Sequence, residues 1–183
     1  MEVGVSYRYL SSPCSKTSPP SPSPVYCADF PLTMSAESLV TKEEYELLKT
    51  TVLKAQEIAY CPYSKFRVGC AILAESGKLY TGCNVENAAY TAGICAERTA
   101  MSKAVSEGDR VFKAIAIVTD SPTCSSPCGV CRQFIREFSG ANQIGKKKLQ
   151  LPIIMFNNDT SKSIIKTLDE LLPNSFGPED LGF

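Results

Sequence analysis

FRVGCAILAESGKLYTGCNV, Phe66 to Val85, reads as a β-hairpin. Phe66, Val68, Cys70 and Ile72 alternate with their neighbours, and Ser76-Gly77 supplies a turn before a second strand-like run. Upstream, Thr41 and Glu44 have the spacing of a capping box, and Tyr45, Leu48, Val52, Ala55 and Ala59 recur at helical intervals until Pro62. Downstream, a helix is expected from about Cys95 to Glu107, ended by Gly108. AIAIVT and LPIIMF are short apolar runs suited to buried strands. Between them Pro127, with Ser126 as its N-cap, opens a helix through about Phe138. Ile164, Ile165, Leu168, Leu171 and Leu172 make one face of a last helix ending at Pro173. Strands alternating with helices after an initial hairpin imply an α/β fold, with a mixed sheet covered on both faces.

The chain has 183 residues, enough for one domain with a substantial core. Residues 1–38 differ from the rest. Their Ser- and Pro-rich composition reads as a disordered tail, which leaves residues 39–183 as the folded domain. A mitochondrial presequence is weakly supported, because Arg8 and Lys16 are the basic residues before Lys42. Nineteen basic residues balance nineteen acidic ones, which argues against a nucleic-acid or anionic-membrane partner. Lys146-Lys147-Lys148 reads as a solvated loop. No run is long enough to span a bilayer.

Nine cysteines and no histidine are the unusual counts. With an odd number of thiols and no signal-type apolar region, a reduced, cytoplasmic setting is expected, with the thiols serving as core residues or metal ligands. In SPCGVCRQF, Cys128 and Cys131 are three apart, so a helix puts both sulfurs on one side of its first turn. A helix N-terminus favours the thiolate that zinc requires. In GICAERTAM, Cys95 sits at another expected helix start, and convergence of the two helix N-termini would bring three sulfurs together. Two other readings stay open here. Cys128 and Cys131 alone form the spacing of a redox pair. Cys124, in CSSPCGVC, is a possible fourth thiolate of a closed structural zinc site.

With three sulfurs, the fourth zinc position is open to water, whose pKa the metal lowers. Glu97 does not share a helical face with Cys95. It is therefore suited to exchange protons with that water instead of binding the metal. Three thiolates leave the site net negative, and Arg98 is the nearest cation in sequence able to offset this; a plain surface role is its alternative.

CAERTA followed by PCGVCRQ resembles the zinc-dependent nucleoside deaminases, specifically the three-cysteine cytidine deaminases of homotetrameric type. The likeness runs from about Tyr45 to Leu181 and includes CPYSKFRVG, GCNVENAAY and LLPNSFGPEDL. It implies a three-layer α-β-α sandwich on a mixed sheet of about five strands, with one Zn²⁺ per chain held by Cys95, Cys128 and Cys131. It implies Glu97 as proton shuttle, Asn84 and Glu86 as ribose contacts, and Phe66 packed on the base. Tyr90 and Phe176 match aromatics that approach a neighbouring subunit's site. The implied reaction is hydrolytic deamination of cytidine and deoxycytidine to uridine and deoxyuridine, with release of ammonia, in pyrimidine salvage. A deaminase of another base or nucleotide, or an inactive zinc-stabilised module, is the alternative. Cys70 stands where the family often has alanine, and Thr91-Ala92 replaces a common proline-containing turn; neither touches a ligand or the shuttle.

Overall fold

The computed structural model describes residues 39–139 and 150–182. The Ser/Pro-rich segment 1–38 and the Lys146–Lys148 run lie outside the described residues.

The first helix, α1, spans Lys42–Glu57. Thr41 is its N-cap, and the capping box is complete: Glu44 N–H donates to Thr41 Oγ1 at 3.2 Å and Thr41 N–H to Glu44 Oε2 at 3.0 Å. The helix ends short of Pro62. Tyr60 instead pairs with the end of the hairpin, donating its N–H to Asn84 O at 3.0 Å and accepting from Glu86 N–H at 2.8 Å. Backbone pairing thus takes over where helical spacing alone suggested one more turn.

The hairpin is β1, Val68–Ala74, and β2, Leu79–Cys83. Gly77 takes the left-handed φ of 84° that its turn requires. β3, Phe112–Thr119, lies on the other side of β1; β4, Pro152–Phe156, runs parallel to β3; and β5, Ser163–Thr167, closes the edge. The sheet order is β2-β1-β3-β4-β5, antiparallel except for β3 and β4. A parallel pair needs a long crossover, and α3, Gly129–Arg136, lies within it.

The five-stranded sheet bears out the expected fold, but the last strand corrects the reading of residues 163–172. Ser163–Thr167 forms β5, with Ile154 opposite Ile165, and only Leu168–Leu171 forms the one-turn helix α4. Short apolar runs carry both periods. Two β-branched isoleucines beside the otherwise unpaired edge of β4 settle the matter in favour of a strand. A second capping box, Thr167 with Glu170, begins α4.

Side chains alternate between two cores. Ala71, Leu73, Ala114, Ala116, Val118, Ile154 and Phe156 meet Leu48 and Val52 of α1. On the opposite face Cys70, Ile72, Ile115, Ile117, Ile153 and Met155 meet Ala96, Ala100, Met101 and Ala104 of α2 (Ala96–Ser106) and Ile135 of α3. Three layers result. They place the start of β1 and the ends of β2 and β3 at one end of the sheet, since Gly69 faces Cys83 and Val68 faces Thr119. The segments leading to α2 and α3 leave from that same end.

Candidate metal centre and nucleoside cleft

Close packing sets the position of α2. A Cβ at Gly82 in β2 would collide with the backbone of Ala96 and Ala100, so the missing side chain lets the first turns of α2 lie directly on the sheet. Cys95 is the N-cap of α2 and Cys128 the N-cap of α3. This corrects the expected start of α3: Ser126 and Pro127 precede the helix, and the extended cap residue is Cys128 itself. Neither cysteine makes a side-chain cap bond. Cys131 lies within the first turn of α3 and is buried.

The two helix N-termini converge. The sulfurs of Cys95, Cys128 and Cys131 all lie within 4.8 Å of one another, with 3.9 Å between those of Cys95 and Cys128. A tetrahedral zinc with bonds of about 2.3 Å spaces its sulfurs at about 3.8 Å, so this donor set fits zinc in type and in spacing. Cys124 is outside the cluster; its Sγ lies 3.7 Å from Lys162 O. Among the described residues a closed four-thiolate site with Cys124 is therefore not formed, and the proximity of Cys95 separates this arrangement from a simple redox pair.

The charges suit a thiolate centre. Hydrogen bonding from the Cys131 thiol, then from Arg98 and Cys128, outweighs burial and draws Cys95 down to about 5. The hydrogen bond to Cys95, with burial and the neighbouring negative charge, pushes Cys131 up. Arg98 Nη2 lies 3.8 Å from Cys95 Sγ and 3.4 Å from Gly93 O, and its Nε is buried with no partner among the described residues. Glu97 is 5% exposed. Burial, reinforced by the Cys95 charge, pushes its carboxyl above the usual range.

Cys95, Glu97, Arg98 and Cys128 open onto a cleft of about 1010 Å³ that also receives Phe66, Asn84, Glu86 and Tyr90, with Cys131 buried behind it. Asn84 braces the cleft wall, its Nδ2 donating to Phe66 O at 2.9 Å and its Oδ1 accepting from Val68 N–H at 2.8 Å. Glu86 accepts from the N–H groups of Tyr63 and Ser64. The Ser64 hydroxyl and those N–H groups hold its carboxyl below its usual range. Val85 and Ile94 exchange two backbone bonds of 2.9 Å, closing the loop that carries Tyr90. Phe176 does not line the cleft.

The zinc-binding region of the cytidine and deoxycytidylate deaminases matches residues 42–144. The chain belongs to the zinc-dependent cytidine deaminase family. A cytidine deaminase of Sporosarcina psychrophila is 48% identical over 132 residues, covering 71% of this chain and 89% of that protein. A probable cytidine deaminase of Dictyostelium discoideum is 42% identical over 143 residues, covering 78% and 90%. The crystal structure of a cytidine deaminase from Burkholderia pseudomallei aligns with a TM-score of 0.64 at 36% identity, over 72% of this chain and 98% of that one. As a member of this family the chain binds zinc through Cys95, Cys128 and Cys131.

Sequence reasoning missed the deaminase fold's bracing of the cleft. Asp120 accepts from Arg67 N–H at 2.7 Å and from its guanidinium at 2.9 and 3.2 Å, joining the segment after Phe66 to the loop after β3. The acid and base lie 53 positions apart, and no periodicity links them.

Proposed function

We infer that the chain is a cytidine deaminase in which Glu97 carries the protons and the cleft beside it binds the nucleoside. The observation that carries this reading is a cluster of three metal-binding sulfurs, two of them lining the cleft together with a buried carboxyl. Zinc, when bound, supplies a Lewis acid that makes water nucleophilic near neutral pH. Water oxygen bonds to C4 of the base, the C4–N bond breaks, and ammonia leaves as the uridine carbonyl forms. Glu97 takes a proton from the attacking water and delivers it to N3, then moves the second to the departing amine. A buried carboxyl held above its usual range suits both halves of that task, because burial makes its protonated form easier to reach than that of a solvated carboxylate.

Phe66 forms an apolar wall for the base, while Asn84 and Glu86 meet the sugar hydroxyls with the lone pairs and proton their bracing bonds leave free. Deoxycytidine fits the same description. Tyr90, 82% exposed, and Phe176, 57% exposed, are large aromatic surfaces in a single chain; their exposure supports a homotetramer in which each approaches a neighbouring cleft. Among the described residues no helix is long and apolar enough to cross a membrane, which accords with a cytoplasmic enzyme of pyrimidine salvage. Residues 39–183 form the catalytic domain in this reading, with 1–38 outside it.

An absorbance assay with cytidine, deoxycytidine, CMP and adenosine in parallel tests the assignment. Turnover of the first two and not the others is expected, from a species that light scattering sizes at four chains. Turnover confined to CMP or adenosine would replace the substrate, and a monomer with full activity would remove the tetramer.

A further inference from the structure

Of the motif PCGVCRQ, the metal accounts for the cysteines alone. Arg132 turns back along α3. Its Nε donates to Pro127 O at 2.7 Å, one Nη to Ser126 Oγ at 2.7 Å, and the other to Leu171 O, at the end of α4, at 2.8 Å. Two of its three acceptors belong to the residues immediately before Cys128. We propose that Arg132 is a positioning residue for the zinc ligand Cys128, fixing the approach Ser126–Pro127 against α3 and tying it to the end of α4.

The need for such a brace follows from where the three ligands sit. Cys131 is buried inside a helix and Cys95 is half-buried, whereas Cys128 is exposed, extended, and without a cap bond of its own. Its sulfur is therefore held mainly through its backbone. Pro127 has no N–H to anchor that backbone, which leaves its carbonyl as the handle. A planar guanidinium presents donors in directions fixed relative to one another, so three simultaneous bonds define a position. A lysine, with one ammonium, cannot meet three acceptors spread in this way. Gln133 reaches the same C-terminal segment, donating to Phe176 O at 3.0 Å, but does not touch the approach to Cys128.

The proposal rests on the three-cysteine zinc site and not on the substrate, so zinc release is the readout. Zinc-loaded full-length protein is mixed with excess chromophoric chelator well below its melting temperature, and the first-order release rate is measured. Arg132→Gln should release zinc about 10-fold faster or more, in the range typical of outer-sphere partners, Arg132→Lys should fall between, and Gln133→Ala should match wild type. A wild-type rate for Arg132→Gln overturns the proposal. So does a Gln133→Ala rate equal to that of Arg132→Gln, which would assign the effect to docking of the C-terminal segment. If Arg132→Gln does not fold, Ser126→Ala decides the matter: it removes one acceptor and leaves two, so faster release supports the brace and an unchanged rate refutes it.

Discussion

At the N-terminus of α1, Thr41 and Glu44 satisfy each other's backbone N–H groups; at the N-termini of α2 and α3 the cap position is held by Cys95 and Cys128, which make no cap bond. All three are helix starts on the same sheet, yet they serve different ends. The oxygen cap of α1 stabilises its own helix on a face devoted to packing. The sulfurs at α2 and α3 leave the positive ends of two helix dipoles directed at a shared anionic centre. Stability forgone at a helix start becomes electrostatic support for thiolates, as long as a cation holds them together.

The contrast is sharpest if one sulfur is removed. Cys95→Ala should lose zinc on dialysis against a chelator and lose turnover with it; metal analysis showing wild-type zinc content would break the convergence argument. The next effect is chemical. Glu97→Gln should keep its zinc while kcat falls by about 10²–10⁴-fold, the usual worth of a general acid–base, and a rate near wild type would take the proton-carrying role from Glu97. The smallest effect belongs to α1. Thr41→Ala should cost about 1 kcal/mol and lower the melting temperature by roughly 2–4 °C, with kcat, KM and zinc content unchanged. A change in turnover there would mean that the packing face and the chemical face are coupled.

Legibility followed the range of the forces involved. The capping box at Thr41, the hairpin turn at Gly77 and the stop at Gly108 depend on neighbours within a few residues, and each is found where its local pattern points. Residues 163–172 failed that test because Ile164 and Ile165 suit a helix face and a strand equally, and the vacant edge of β4 made the choice. The start of α3 shifted for a related reason: Ser126 has good cap chemistry, but its hydroxyl is taken by Arg132.

The same boundary separates the parts of the site. The spacing of Cys128 and Cys131 suits a metal or a redox pair, and Cys95 and Glu97 stand out by their motif, because candidate ligands and proton carriers are written in residue type. Their meeting, the burial that raises Glu97, and the bracing of the cleft by Asn84 and Asp120 exist only once β1, β2 and β3 bring distant segments to one end of the sheet. Residue types are properties of the chain; distances between sulfurs and the dielectric around a carboxyl are properties of packing, and zinc chemistry requires both.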